Sequence, residues 1–195
     1  TDAGMPGISD PGERLVRATA AAGVEVVVVP GPSAAIAGLV ASGLATGRFA
    51  FEGFLPRSGS GRTERLAALR DERRTIVLYE APHRLARTLT DLASTLGGGR
   101  RCALARELTK LHEEVWRGTL DDAVRRCEDV EPRGELVVVV DGAPEAAPAT
   151  DDVLRAALRR LLDDGATTRD AVAEVASTFD VPKRRVYDLA TGGGI

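Results

Sequence analysis

The sequence predicts an α/β protein in which strands and helices alternate along most of the chain. Two nearly continuous runs of apolar and β-branched residues, at 24–30 and 75–79, are typical of strands that are covered on both faces. A turn sequence follows each run, and a helical pattern follows each turn. This alternation favours helices layered on a sheet over an all-α or all-β fold.

The first half of the chain contains three strand-to-helix transitions. A helix opens at Pro11-Gly12-Glu13 and ends at Gly23, where glycine is favoured after a helix. The other predicted elements are strands at 24–30, 49–55 and 75–79 and helices at 34–42, 62–70 and 84–96. Ser58, Gly59, Ser60 and Gly61 make the segment before the helix at 62–70 look like a flexible loop.

The second half continues the alternation and then changes character. Strands are predicted at 102–106, 113–117 and 135–140, with a helix at 120–128. Pro and Ala dominate residues 143–150, which is the composition of a linker. Two helices at 151–163 and 167–179, a tight turn and a basic helix from Lys183 then resemble a helix-turn-helix.

Composition limits the classes of function that the chain can have. The 195 residues are 44% hydrophobic and 28% charged, with a net charge of −3, so any contact with nucleic acid has to be a local basic patch. Aromatic residues make up 4%, which argues against extensive base-stacking platforms. Cys102 and Cys127 lack metal-ligand spacing, and we expect two reduced thiols and no metal. No apolar run approaches the roughly 20 residues of a membrane span, so we expect a cytoplasmic protein without membrane contact.

Six short motifs lie at junctions between the predicted elements. They are Thr1–Gly12, Pro30-Gly31-Pro32-Ser33-Ala34-Ala35, Glu52-Gly53-Phe54-Leu55-Pro56, Tyr79-Glu80-Ala81-Pro82-His83-Arg84, Ala105-Arg106-Glu107-Leu108-Thr109-Lys110 and Gly134-Glu135-Leu136-Val137. In this order they resemble the tetrapyrrole methylase superfamily of S-adenosylmethionine-dependent methyltransferases. Within it they are most similar to the branch that methylates a cytidine 2′-hydroxyl of small-subunit ribosomal RNA.

The resemblance implies two αβα domains with the cofactor, S-adenosylmethionine, in the cleft between them. Residues 1–30 would be the remainder of a truncated first domain, residues 31–142 the second domain, 143–150 a linker and 151–195 a helical appendage. The family's N-terminal Pro-rich motif has no counterpart here, so the chain looks like an enzyme that lacks its beginning. A homodimer is also implied.

The cofactor-binding residues are assigned mainly by the resemblance. Loops at strand ends and helix starts are where α/β proteins bind ligands. A purely structural turn is the other interpretation of the first loop, and Ser33 could serve as a helix cap as well as a ligand contact. The assigned residues are Ala3, Gly4, Pro6, Pro32, Ser33, Ala34, Ala81, Ala105 and Glu135.

Attack of a ribose hydroxyl on a sulfonium methyl needs positioning and a proton acceptor. Lys110 and Glu107 are the main candidates for this base, and Glu80 is a third. A cluster of solvated charges is the alternative for the first two, and an ion pair with Arg84 is the alternative for Glu80.

Basic residues in loops and at a helix start are candidate phosphate contacts. Seven are assigned to ribosomal RNA or the small ribosomal subunit: Arg57, Arg62, Arg84, Arg106, Lys183, Arg184 and Arg185. A solvated surface is the alternative for each. Two other functions stay open: a precorrin-type C-methyltransferase on the same fold, and a non-catalytic nucleic-acid-binding module centred on residues 151–195.

Overall fold

The computed structural model describes residues 5–129, 134–145 and 149–192 and forms two compact units, residues 1–144 and 145–195. The first unit contains five helices and five strands among its described residues. These are α1 (Gly12–Ala21), α2 (Ala34–Ser42), β1 (Phe49–Gly53), α3 (Ser60–Leu69), β2 (Thr75–Glu80), α4 (Pro82–Leu96), β3 (Arg101–Arg106), β4 (Glu114–Thr119), α5 (Leu120–Asp129) and β5 (Leu136–Val140).

The strands form one mixed sheet in the order β1-β2-β5-β3-β4. β1 and β2 are parallel, whereas β5 runs antiparallel to both of its neighbours, β2 and β3. Consequently the residues that precede β5 lie at the same edge of the sheet as the residues that follow β2 and β3. This edge collects several of the predicted site residues.

Both faces of the sheet are covered, as the apolar run at 75–79 predicts. Alternate residues of β2 and β5 point to opposite sides: Ile76 and Val138 pack with the leucines of α3, α4 and α5, and Val77 and Val139 pack with α2. α2 approaches closely, because a Cβ placed on Gly38 would lie 2.8 Å from a methyl group of Val137. A glycine is therefore required at this crossing.

One predicted strand is wrong. Residues 24–30 form no secondary structure, and Val27 and Val29 are 77% and 79% exposed. A strand needs a neighbouring strand for its N–H and C=O groups, and none of the described strands lies beside this segment. Local propensity alone does not make a strand stable.

The second unit is a three-helix bundle. Its helices are α6 (Asp151–Asp163), α7 (Thr168–Thr178) and α8 (Lys183–Thr191). Thr150 and Thr167 cap α6 and α7 through their side chains, which accept the N–H groups of Val153 and Asp170. Leu154, Leu158 and other apolar residues of all three helices form a separate core. The helix-turn-helix-like arrangement of α7 and α8 is thus present.

Candidate functional site

The predicted cofactor residues of β2, β3 and β5 lie together at one edge of the sheet. Leu136 is paired with Glu80 on one side and Arg106 on the other, so Ala81, Glu135 and Glu107 follow side by side. The Glu107 N–H donates to the Glu135 carbonyl at 3.4 Å. Glu135 is exposed and Ala81 is half-buried, whereas Ala105 is buried one residue inside the sheet, on the side that α2 covers.

The start of α2 is held by a tyrosine hydroxyl. The N–H of Ala35 donates to Tyr79 Oη at 3.1 Å, and the Ser33 side chain makes no capping bond. The expectation that Ser33 caps this helix is therefore wrong, because the tyrosine hydroxyl reaches a first-turn amide instead. Ser33 is half-buried, and Pro32 and Ala34 are exposed.

Tyr79 was missed as a site residue. Its ring makes an edge-to-face contact with Phe51, with centroids 5.1 Å apart, and also contacts Phe54 at 5.7 Å. This packing fixes the hydroxyl that holds α2. A tyrosine at the end of an otherwise apolar strand was the available sequence signal, since its ring can be buried only if its hydroxyl finds a partner.

The glycine- and proline-rich first loop packs against the same region. The N–H of Met5 donates to the Pro32 carbonyl at 2.9 Å, and Ser9 lies against the end of β1, with its hydroxyl 3.2 Å from the position of a Cβ on Gly53. Asp10 Oδ1 accepts the N–H of Gly12 at 2.9 Å, which braces the turn. Pro6 is exposed beside these contacts, whereas Ala3 and Gly4 lie outside the described residues.

A buried polar cluster lies beneath this edge. The Thr88 hydroxyl donates to Glu80 Oε2 at 2.6 Å and accepts from Arg62 Nη2 at 3.0 Å. Arg62 also donates to Asp91 at 2.8 Å and to the Pro56 carbonyl at 2.9 Å. We name this set, together with Arg84, the buried polar cluster.

Three predicted roles need correction because of this cluster. Glu80 is 2% exposed, and its other oxygen accepts the Ala81 N–H at 2.8 Å and lies 3.2 Å from Arg84 Nε. Arg84 in addition donates to the Leu55 carbonyl at 2.6 Å, and Arg62 is 4% exposed. Glu80 is thus not placed to receive a substrate proton, and neither arginine is available to a phosphate. Instead they hold residues 55–56 against the ends of β2 and α4.

The loop after β3 is tightly wound. Glu107 and Thr109 have φ angles of +49° and +66°, and the Thr109 N–H donates to the Glu113 carboxylate at 2.6 Å. Lys110 Nζ lies 3.0 Å from Glu107 Oε1, and this hydrogen bond lowers the pKa of the Glu107 carboxyl. A carboxylate with a lowered pKa is a weaker base, and a lysine ammonium that donates to a carboxylate has no lone pair for a proton, so both assignments as proton acceptor stay predictions.

The remaining predicted RNA contacts divide into paired and unpaired side chains. Arg106 is paired with Glu114 at 2.6 Å, and Arg185 with Asp151 at 2.7 Å. Both guanidinium groups are partly exposed, so the assignment of these two arginines to phosphate stays a prediction. Arg57, Lys183 and Arg184 are exposed, and no ion pair is found for them among the described residues, so these three predicted contacts stay accessible to phosphate.

A comparison with protein-family models decides the classification. Residues 1–124 match the model described as "Tetrapyrrole (Corrin/Porphyrin) Methylases". The chain belongs to the tetrapyrrole methylase family. Its site edge, made of β2, β3, β5 and the start of α2, lies within or next to the matched residues.

Relatives of this tetrapyrrole methylase extend the match over nearly the whole chain. The ribosomal RNA small subunit methyltransferase I of a Synechocystis species is 48% identical over 97% of this chain and 69% of its own length. The protein of the same name from Mycobacterium bovis is 48% identical over 96% of this chain and 65% of its own. The chain therefore spans about two thirds of the length of these relatives.

Solved structures confirm the fold. The methyltransferase CobJ superposes with a TM-score of 0.56 at 23% identity, covering 74% of this chain and 65% of CobJ. Uroporphyrin-III C-methyltransferase from Thermus thermophilus, solved with S-adenosylhomocysteine, gives a TM-score of 0.50 at 22% identity, covering 71% of this chain and 62% of that protein.

None of the helices within residues 5–129, 134–145 and 149–192 is long and apolar enough to cross a membrane. Nor do His, Cys, Asp and Glu side chains form a group suited to a metal ion within those same ranges.

Proposed function

We propose that this protein transfers a methyl group from S-adenosylmethionine to the ribose 2′-hydroxyl of a cytidine in small-subunit ribosomal RNA. The observation that carries the proposal is the 48% identity to proteins named ribosomal RNA small subunit methyltransferase I, which extends over 97% of the chain. The aligned stretch therefore includes the helical unit, residues 145–195, which lies beyond the residues that match the family model.

The helical unit also argues against a tetrapyrrole substrate. CobJ and the uroporphyrin enzyme align with 74% and 71% of this chain, whereas the RNA-methylating relatives align with 96–97%. A small tetrapyrrole offers no obvious use for an additional three-helix bundle. A macromolecular substrate extends far beyond the reacting atoms, so an additional bundle could contact it.

The residues at the site edge fit S-adenosylmethionine. The Ser33 hydroxyl makes no capping hydrogen bond, and the side chains of Ala34 and Ala81 are small. Backbone groups at these positions are therefore accessible, with room for an adenosine or a methionine moiety. The exposed carboxylate of Glu135 could attract a positively charged ligand or accept hydrogen bonds from ribose hydroxyls. When bound, the cofactor supplies an activated methyl group on a sulfonium.

The chain's own residues would position the substrate and accept its proton. A ribose hydroxyl would be positioned here for in-line transfer of the methyl group that the cofactor supplies, and its proton would pass to Lys110 once that side chain has released a proton to solvent and left its ion pair with Glu107. The wound loop 107–110 fixes Lys110 near the edge that Glu135 and Ala81 share. Arg57, which is exposed, would contact phosphate.

Calorimetric titration with S-adenosylmethionine and S-adenosylhomocysteine tests the cofactor site. We expect Ala34→Leu to weaken binding at least about tenfold, because its side chain would fill the space at the start of α2. Ala37→Leu is the matched control, since Ala37 is exposed on the same helix. Equal affinities of the two variants would place the cofactor elsewhere.

Methyl transfer from labelled cofactor to isolated small ribosomal subunits and to naked ribosomal RNA tests the substrate. Lys110→Ala should reduce turnover far more than cofactor affinity, and unchanged turnover would remove Lys110 from the mechanism. Methylation of a precorrin but not of RNA would favour the tetrapyrrole alternative. Neither activity, together with RNA binding, would favour a non-catalytic binding module.

The resemblance further supports a homodimer acting in the cytoplasm, where small ribosomal subunits are found. Light scattering after size-exclusion chromatography gives the mass directly. A monomer at micromolar concentration, for a preparation that methylates RNA, would contradict the dimer.

A further inference from the structure

The outward face of α8 carries three residues in one line. Lys183, Tyr187 and Thr191 are spaced four residues apart, which places them on one side of a helix. Val186, which lies about 100° around the helix from Tyr187, is fully buried in the core of the bundle. Tyr187 is 54% exposed, so its ring is accessible to a ligand.

This line of residues forms one wall of a groove of about 550 Å³. α7 forms the other wall with Thr168, Arg169 and Val172. The groove is thus lined by two cations, an exposed aromatic ring, hydroxyl groups and a short apolar floor. None of its lining residues is acidic.

The absence of acidic lining residues is informative because the unit as a whole is acidic. Residues 145–195 contain seven Lys or Arg and nine Asp or Glu. Two cations and no carboxylate line this surface, and that charge balance favours an anionic ligand. Arg185 is excluded from this surface, because it pairs with Asp151 and donates to the Ala149 carbonyl.

We propose that the α7–α8 groove binds an unpaired segment of RNA, with one base stacked on Tyr187 and the adjoining phosphates contacted by Arg169 and Lys183. Stacking on an aromatic ring requires a base that is not already stacked within a helix, so the ligand is single-stranded or a loop. This inference rests on the proposed RNA substrate and names the part of it that the helical unit recognises.

The groove adds Arg169 to the basic residues at the start of α8 and places the ring of Tyr187 beside them. The basic start of α8 alone predicts phosphate contacts, which any RNA would satisfy. The addition of an aromatic ring and an apolar floor between two cations gives a preference for unpaired bases.

Fluorescence anisotropy of the 195-residue chain with a labelled unpaired RNA oligonucleotide tests the groove. Tyr187→Ala should weaken binding about tenfold, whereas Tyr187→Phe should retain it, because stacking needs the ring and not the hydroxyl. Arg169→Gln and Lys183→Gln should each lower the slope of log affinity against log salt by about one. Arg160→Gln is the control, because Arg160 is an exposed cation of α6 outside the groove.

Three outcomes would overturn the proposal. Unchanged affinity of Tyr187→Ala, with the fold retained by circular dichroism, would show that the ring does not stack. Equal binding of a duplex of the same length would show recognition of the backbone only. No RNA binding by the wild-type chain would also overturn it. In that last case the cofactor titrations and the methyl-transfer assay report independently whether the proposed function survives.

Discussion

Replacement of Thr88 by valine tests the buried polar cluster most directly. Valine has nearly the shape of threonine, so the substitution removes the hydroxyl without opening a cavity. Thr88 is 1% exposed, and its hydroxyl joins a carboxylate to a guanidinium: it donates to Glu80 at 2.6 Å and accepts from Arg62 at 3.0 Å. Water cannot easily replace it at this depth.

The magnitude follows from the two lost bonds. A hydrogen bond to a charged group contributes about 1.5–3 kcal/mol. Both charged partners of Thr88 keep other bonds, Glu80 to the Ala81 N–H and Arg62 to Asp91, so the lower value applies to each. Thr88→Val should therefore reduce the free energy of unfolding by about 3 kcal/mol. With a urea dependence of about 2 kcal/mol per molar, the midpoint falls by roughly 1.5 M.

Tryptophan fluorescence in urea is the appropriate assay. The chain contains a single tryptophan, Trp116, which packs against the core of the first unit, so the signal reports the unit that carries the substitution. Thr90→Val is the matched control: Thr90 is an exposed threonine on the same helix, and its replacement should change stability by less than about 0.5 kcal/mol. Equal midpoints for the two variants would refute the claim that the cluster stabilises the fold.

Three further predictions concern packing, pH and thiol chemistry. Gly38→Ala should lower stability although alanine favours helices, because its Cβ would overlap Val137; a higher urea midpoint would contradict the close packing of α2. Glu114→Gln should destabilise the protein at neutral pH, and the urea midpoints of the variant and the wild type should stay apart from pH 7 down to about pH 4.3 and converge only as the pH falls further. The hydrogen bond from Arg106 holds the pKa of Glu114 below its usual range, so the carboxylate's contribution is complete above the unfolded value of about 4.3 and is lost as pH falls through the folded value. Cys102 should resist alkylation at pH 8 until the chain unfolds, since burial raises its pKa to about 12; rapid labelling of the native chain would show that the site opens readily.

Local sequence patterns predicted most of the helices and strands. The observed bounds of α2 and α6 coincide with the predicted ones, and the other elements shift by a few residues. These elements carry their information locally, as periodicity, caps and turn residues. The strand prediction for residues 24–30 was wrong because a strand needs a neighbouring strand, and a local sequence pattern does not show whether one is present.

The site was predicted less completely because side-chain partners come from distant parts of the chain. Arg62 donates to Asp91, 29 residues away, and no spacing rule anticipates that bond. One signal was nevertheless present: Arg62, Leu66 and Leu69 share one face of α3, and the two leucines are buried. An arginine on the apolar face of a helix is better interpreted as an interior ion-pair partner than as a phosphate contact.

The buried polar cluster also has a consequence for behaviour on heating. The cost of removing charged groups from water falls as temperature rises, whereas the stabilisation from apolar burial levels off. The segment at residues 55–56 is held by guanidinium bonds to its carbonyl groups rather than by side-chain packing alone. A rise in temperature should therefore destabilise this edge of the sheet less than the leucine-rich packing behind it. The geometry of the ligand-binding edge should then persist close to the melting temperature.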